Sequence, residues 1–278
     1  MKPKHKLLIC TDLDRTLIPN GAAEESPNAR ELFQQLVSRP DISLAYVTGR
    51  DLDSIQQAIA DYSLPAPDYA IADVGASIFT HTDGNWTRIE DWDHKSANYC
   101  SKDRWSELDG LFDDIGCLEL QEPAKQGLYK LSYYVPGEVN STTLMVKLKT
   151  RLKWEEVQAK VIWSTDEHQK LGLVDILPAN ADKRLALEFL IDLYKFNRDR
   201  TLFAGVSAND TAVMASTIPA VLVANAGAEV KQLAYRRTRE SHNLESLYIA
   251  RGGQLGMNGN YSAGILEGVA YFFPDALS

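Results

Sequence analysis

The sequence is poor in everything that would tie it to a membrane, an oxidising compartment or nucleic acid. No apolar run approaches the ~18 residues that a membrane span needs. The first ten residues, MKPKHKLLIC, are basic, but their apolar stretch is too short for a secretory leader. Cysteine is scarce. Cys10, Cys100 and Cys117 are odd in number and have no paired spacing, which excludes a disulfide framework and points to a reducing compartment. A cytoplasmic protein is expected. Positive charge is in deficit: 29 Lys and Arg stand against 38 Asp and Glu, a net charge of −9. That argues against a general binder of nucleic acid or anionic membranes. It leaves a phosphorylated small molecule open, because local charge decides such binding. The five histidines, His5, His81, His94, His168 and His242, are scattered and show no transition-metal spacing. There is no internal repeat and no low-complexity tract.

What is present is ordinary for a globular protein: 278 residues, 45% hydrophobic and 24% charged, enough for one large domain or two smaller ones with a buried core. The chain is organised around residues 7–17, LLICTDLDRTL. An apolar run fits a strand buried on both faces. It stops at two carboxylates, Asp12 and Asp14, with Thr16 two places on. Asp-x-Asp at the carboxyl end of a strand lies where open α/β sheets bind ligands. Two acids there repel unless a cation or a substrate group offsets them. A solvated turn after a strand is the alternative.

Ser26-Pro27 marks a helix start, with Ser26 as N-cap, and Leu32, Phe33, Leu36 and Val37 have helical spacing up to Pro40. ISLAYV (42–47) reads as a strand, Thr48-Gly49-Arg50 follows, and a helix spans about 52–60. Strand, helix, strand, helix predicts a parallel sheet with crossovers. Thr48 then shares the sheet edge with Asp12. Its hydroxyl and the neighbouring N–H groups suit a phosphoryl oxygen, and Gly49 allows close approach of the backbone. A capping Thr is the alternative. YAIA (69–72) is a further strand, ending in the turn 73–77 and a short apolar piece.

The pattern changes over 84–175, which holds all five tryptophans. It reads as a helix near 101–113, a strand at 128–135, a helix at 139–152 and a strand at 157–163. An α+β domain of 84–175 inserted into a core of 1–83 and 176–278 is predicted. The core is expected to resume with LGLVDILP (171–178), a helix from Asp182-Lys183, strands at 200–206 and 220–225, and a last amphipathic helix over 262–272. Gly252–Gly259 lacks the spacing of a phosphate-binding loop. Lys183 at a helix N-terminus opposes the helix dipole, which a place beside two carboxylates and a phosphate would explain. A surface Lys is the alternative. Asn209-Asp210, after a strand, is either a turn or part of a metal site.

The ordered set DLDRTL (12–17), AYVTGR (45–50), PDYAIADVGASIF (67–79), YKLSYYV (129–135), VDILPANADK (174–183), SANDTAVM (207–214) and SAGILEGVAYF (262–272) resembles the haloacid-dehalogenase-like phosphatases with an α/β cap. Within them it is most similar to the sucrose-phosphate phosphatases. The resemblance implies a Rossmann-like parallel-sheet core with an inserted α+β cap that sets specificity. It implies Asp12 as nucleophile, Asp14 as acid and base, and Lys183 as the third catalytic group. Thr48, Gly49, Arg50 and Asn209 would bind substrate. Mg²⁺ would be held by Asp12, the Asp14 main-chain carbonyl and Asp210 in the 206–210 loop. A phosphorylated sugar is the expected substrate, and a sugar-phosphate synthase a possible partner.

One position departs from the resemblance. The last motif reads Gly205-Val206-Ser207-Ala208-Asn209-Asp210, where the family has a metal-binding Asp at the place of Val206. Valine cannot coordinate a metal. Even the loss of a more remote partner costs ~10–100-fold in metal affinity or activity. A phosphatase of reduced activity and a sugar-phosphate-binding or regulatory protein are therefore both carried forward. Lys130 and the cap tryptophans could contact a sugar, with surface exposure and core packing as the respective alternatives.

Overall fold

The computed structural model describes residues 6–97, 107–166 and 170–277. The apolar run after the N-terminus forms strand β1 (Leu7–Thr11), buried at every position. β2 (Ile42–Val47) and β3 (Tyr69–Ala72) are likewise buried throughout. β4 (Ser77–Thr82) and β5 (Asn85–Arg88) follow as a meander. Later in the chain come β10 (Thr201–Gly205), β11 (Ala220–Leu222) and β12 (Leu247–Ile249). Together they build one eight-stranded sheet in the order β12-β11-β10-β1-β2-β3-β4-β5. The pairs from β12 to β3 are parallel, and β4 and β5 add antiparallel at one edge. The unbroken burial of β1, β2 and β10 is what central parallel strands require, because crossovers cover both faces. From β1 the chain winds outward through β2 and β3, then returns to β10 on the other side. The order reverses at β1 and β10, and the carboxyl edge there is the expected ligand crevice.

Helices α1 (Ala29–Val37) and α2 (Leu52–Asp61) make the crossovers around β2. α1 does not begin as expected. Its N-cap is Asn28, in a left-handed conformation (φ 60°), and the Ser26 hydroxyl instead accepts the Asn258 N–H at 2.9 Å. α2 is capped by Asp51, whose Oδ1 accepts the Ser54 N–H at 2.7 Å.

The chain divides into two compact units, Met1–Arg88 with Lys183–Ser278, and Ile89–Asp182. The second is thus an insertion, with its edges displaced from those expected. β5 continues the core hairpin to Arg88, because Asp83-Gly84 turns the chain back along β4 instead of leaving the sheet. The segment 171–178, expected to resume the core, is β9 (Leu171–Pro178) of the inserted unit. It lies between β7 (Leu131–Pro136) and β8 (Ala159–Asp166), with the short β6 (Glu119–Leu120) outside β7. All neighbours in this four-stranded sheet are antiparallel. Helix α3 (Glu90–Ala97) enters the unit, and α4 (Ser141–Trp154), capped by Asn140, buries Leu144, Leu148 and Leu152. These join Tyr133, Val135, Val174 and Ile176 in a separate core. The helix expected near 101–113 lies outside the described residues up to 106, and Asp109–Phe112 is a single 3-10 turn.

Returning to the core unit, α5 (Lys183–Tyr194), α6 (Thr211–Met214), α7 (Ala228–Glu240) and α8 (Ser262–Phe272) complete it. α7 and β12 have no counterpart in the sequence reading. α7 buries only Ala234 and Thr238 and so carries almost no apolar period, and β12 is three residues long. Among the described residues no helix is long and apolar enough to cross a membrane.

Candidate active site

Asp12 is the first residue beyond β1, and its N–H still joins the ladder, to the Ala204 carbonyl of β10 at 2.9 Å. It is 6% exposed. The Lys183 ammonium, on the first residue of α5, reaches Asp12 Oδ1 at 3.1 Å and Asp210 Oδ1 at 2.7 Å. Lys183 is 2% exposed and Asp210 is fully buried. The surface-lysine alternative is thereby excluded: the side chain is a buried cation between two carboxylates.

The turn after β10 is built around Asp210. Its Oδ2 accepts the N–H groups of Val206 (3.0 Å) and Ser207 (2.9 Å), and the Ser207 hydroxyl lies at 2.8 Å. Gly205 makes room for this: a Cβ there would stand 2.7 Å from the Asp210 side chain. Val206 is buried. Register pairs Thr11 with Ala204, so Val206 falls two places past the ladder on the same edge as Asp12. Asn209 meets Ser207 Oγ at 2.5 Å, within the turn.

Asp14 is held differently. Arg50 donates Nε to Oδ2 at 2.8 Å and Nη2 to Oδ1 at 2.7 Å, and Asn20 Nδ2 donates to Oδ1 at 2.7 Å. Arg50, expected on the substrate, is therefore engaged with the second carboxylate of Asp-x-Asp. Thr48 is buried beside it, its Oγ1 accepting the Arg50 N–H at 3.3 Å. Gly49 is not demanded by packing, since a Cβ there would rest at an ordinary 3.6 Å from Val74.

The residues that brace this edge leave no signal in the sequence. Asn20 was hidden in an Asn-Gly pair that reads only as a turn. Asn225 donates to the Arg15 carbonyl at 2.7 Å and accepts the Tyr261 N–H at 3.0 Å. After β3, Asp73, Val74 and Gly75 have φ values of 52°, 56° and 98°. Such a run is strained for non-glycine residues. It delivers the Asp73 N–H to the Arg50 carbonyl and the Val74 N–H to the Thr48 carbonyl, fixing the Thr48–Arg50 turn.

Electrostatics separates the two carboxylates of Asp-x-Asp. Burial, with the charges of Asp210 and Asp14 added, pushes the Asp12 carboxyl up to about 7 against the pull of Lys183. Burial also acts to raise Asp14, but the Arg50 fork, the Arg50 charge and Asn20 outweigh it and hold Asp14 below its ordinary value. Burial disfavours the Lys183 charge, yet Asp12 and Asp210 together hold the ammonium above its ordinary range. The two carboxylates of Asp-x-Asp are thus shifted in opposite directions.

The expected metal set is only partly available. Among the described residues no group of three His, Cys, Asp or Glu side chains could hold a metal ion. Asp210, expected as a ligand, gives one oxygen to Lys183 and the other to its own turn. The Asp14 carboxylate is taken by Arg50 and Asn20. Asp12 keeps one carboxylate oxygen, Oδ2, that accepts no hydrogen bond from the described residues. This donor set suits Mg²⁺, which takes one or two carboxylates and fills its shell with water and substrate phosphate oxygens.

Over residues 5–273 the chain matches the family described as sucrose-6F-phosphate phosphohydrolase. A protein of Nitrosococcus oceani described as a HAD-like hydrolase, that is, haloacid-dehalogenase-like, is 50% identical over 272 residues, 98% of this chain and 73% of that one. The mannosylfructose-phosphate phosphatase of Agrobacterium fabrum is 26% identical over 244 residues, 87% of this chain and 92% of that one. The crystal structure of a Synechocystis sucrose-phosphatase with sucrose and phosphate shares the fold, with a TM-score of 0.73 at 24% identity, covering 96% of this chain and 98% of that one.

Proposed function

Since the chain belongs to the sucrose-6F-phosphate phosphohydrolase family, a haloacid-dehalogenase-like group of sugar phosphatases, we propose that it hydrolyses a sugar phosphate, sucrose 6-phosphate first among candidates, through an aspartyl-phosphate on Asp12. The observation that carries the reading is the buried Asp12–Lys183–Asp210 cluster at the point where the strand order reverses.

A carboxylate oxygen of Asp12 attacks phosphorus, and the bond from phosphorus to the sugar oxygen breaks. Asp14 supplies the proton that the leaving sugar oxygen takes. Water then attacks the aspartyl-phosphate, Asp14 takes its proton, and the phosphorus–Asp12 bond breaks to release phosphate. Thr48, with the N–H groups of its turn, and Lys183 hold the phosphoryl oxygens as charge develops. Gly49 and Asn209 line the approach. Asp12 and the Asp14 main-chain carbonyl are the groups that would hold Mg²⁺, which when bound supplies positive charge opposite the phosphoryl oxygens. Arg50 has two tasks on this reading. On Asp14 it favours the ionised, proton-accepting form. Drawn to an anionic substrate, it releases Asp14 to carry the proton for the leaving group. Sugar selection falls to the inserted unit, as a cap, and the working compartment is the cytoplasm.

Phosphate release from sucrose 6-phosphate and mannosylfructose phosphate, with Mg²⁺, tests the reading. Turnover that vanishes in Asp12→Asn supports it, and no turnover of any phosphate ester removes it. Val206 favours a second reading, in which the chain binds a sugar phosphate without turning it over, beside the synthase that makes it. Saturable binding of the sugar phosphate with no phosphate release selects that reading.

A further inference from the structure

Asn20 lies outside the sheet, exposed, in the segment that carries the chain from Asp14 to helix α1. Its amide makes two bonds. The Arg15 N–H donates to Oδ1 at 2.8 Å, and Nδ2 donates to Asp14 Oδ1 at 2.7 Å. The partners fix which way the amide points, because a main-chain N–H can only donate and an ionised carboxylate can only accept. The segment itself is pinned from the far end of the chain. Asn225 Nδ2 donates to the Arg15 carbonyl at 2.7 Å, and the Tyr261 hydroxyl to the Ala23 carbonyl at 3.0 Å. Asn258 and Asn260 both donate to the Glu24 carbonyl, at 2.9 and 3.0 Å. Gly21 lets Tyr261 approach: a Cβ there would stand 2.9 Å from the hydroxyl. Asn20 is thus carried on a turn held at both ends, in spite of its exposure.

The two oxygens of Asp14 are not equivalent. Each carboxylate oxygen has two acceptor sites. Oδ1 accepts from Asn20 and from Arg50 Nη2, which fills both, whereas Oδ2 accepts only from Arg50 Nε among the described residues. On the phosphatase reading, on which this inference rests, Arg50 turns to the anionic substrate. Asn20 cannot follow, since its own carbonyl is tied to Arg15. We infer that Asn20 is the positioning residue that keeps Asp14 aimed when Arg50 lets go, holding Oδ1 and leaving Oδ2 as the oxygen that carries the proton. The O–H bond at Oδ2 breaks as the O–H bond on the leaving sugar oxygen forms. Without Asn20 the carboxyl turns about its Cβ–Cγ bond once Arg50 has left, and the proton meets the leaving oxygen in only a fraction of encounters.

The test compares esters that differ in their need for that proton. The sugar oxygen of sucrose 6-phosphate or mannosylfructose phosphate needs a proton to leave, and p-nitrophenolate leaves without one. The quantity to read is kcat/KM, which ends at departure of the leaving group and omits the later hydrolysis of the aspartyl-phosphate. Asn20→Leu and Asn20→Ala are measured in the full chain with Mg²⁺. For the sugar phosphate kcat/KM is expected to fall by about tenfold or more, a part of the roughly 10²–10⁴-fold that a placed acid supplies, and for p-nitrophenyl phosphate by less than about threefold. Thermal unfolding midpoints are expected to stay near that of the unmodified chain, since the side chain is exposed. An equal loss on both esters assigns Asn20 to the fold of the site or to phosphate binding and overturns the inference. So does sugar-phosphate turnover that the variants keep, and so does failure of both variants to fold. If one variant does not fold, the other decides. In each of these cases turnover of the sugar phosphate by the unmodified chain leaves the phosphatase reading standing. An unmodified chain that hydrolyses p-nitrophenyl phosphate but no sugar phosphate overturns the inference and the sugar substrate together, and failure on every ester removes the phosphatase reading as well.

Discussion

Arg50 grips Asp14 through two parallel hydrogen bonds of 2.8 and 2.7 Å, the bidentate geometry in which a guanidinium best matches a carboxylate. The grip favours ionised Asp14, whereas protonation of the leaving group needs the neutral form. In Arg50→Ala the carboxyl rises towards its ordinary value, so the neutral form persists to higher pH. The alkaline limb of the kcat pH profile is expected to move to higher pH. A profile unmoved by the substitution, in a variant that still turns over, would show that Asp14 is not the proton donor.

Lys183 is the only cation in contact with two buried carboxylates among the described residues, and removing it leaves both uncompensated. Breaking a buried pair from one side costs about 3–5 kcal/mol. Lys183→Met is therefore expected to lose that much stability in urea unfolding, as well as its turnover. A loss under about 1 kcal/mol, within the range of exposed ion pairs, would mean that the cluster does not exist in solution.

Gly205→Ala tests the β10 turn without touching any charge. The added Cβ would stand 2.7 Å from Cβ, Cγ and Oδ2 of Asp210. Relief requires Asp210 to shift, which loosens its three contacts to the turn and its contact with Lys183. Overpacking of this kind costs about 1–3 kcal/mol. The expected outcome is that loss in denaturant unfolding together with at least tenfold lower turnover. Wild-type turnover at full stability would show that the placement of Asp210 is immaterial.

The parts of this architecture that were legible in the sequence are those with a strong local pattern. β1, β2 and β10 are near-continuous apolar runs, and the last helix is rich in apolar residues and buried at every position from Ser262 to Val269, so the central strands and the closing helix could be read. The insertion was legible as a change of pattern, but not its edges. β9 is as apolar as a core strand, and only its pairing with β7 and β8 assigns it to the inserted sheet. Within the site, Asp12, Lys183 and Asp210 could be singled out as candidates from their positions after strands and at a helix start. Their mutual contact was not, since residues 12, 183 and 210 meet only through the β1–β10 pairing and the start of α5. The contact of Arg50 with Asp14 was not legible for the same reason: sequence shows an Arg near a Thr-Gly turn, and only the fold shows a carboxylate within its reach. Asn20, Asn225 and the left-handed turn at Asp73–Gly75 act through hydrogen bonds to distant main chain, which leave no periodic trace.

Asp12 should make the metal-free protein less stable as pH rises, and Asp12→Asn should reverse this. Burial pushes the folded-state pKa of Asp12 up to about 7, from 3.8 as its ordinary value. Between these values the folded chain holds a proton at Asp12 that the unfolded chain has released. The stability tied to that proton is fully present below pH 3.8, falls as pH rises, and is gone above about 7. Above that pH the folded state carries two buried carboxylates on one ammonium. Asn at position 12 leaves Lys183 and Asp210 as a balanced pair at every pH in this window. In Mg²⁺-free buffer the melting temperature of Asp12→Asn is therefore expected to exceed that of the unmodified chain at pH 8, and the gap to close as pH falls towards 4. The difference between the two chains isolates this group, because every other titration is common to both. A gap independent of pH would assign the effect to packing, and a variant less stable at pH 8 would mean that ionised Asp12 stabilises the fold through Lys183. The expected order is that of a site in which the buried carboxyl of Asp12 is held at the expense of stability.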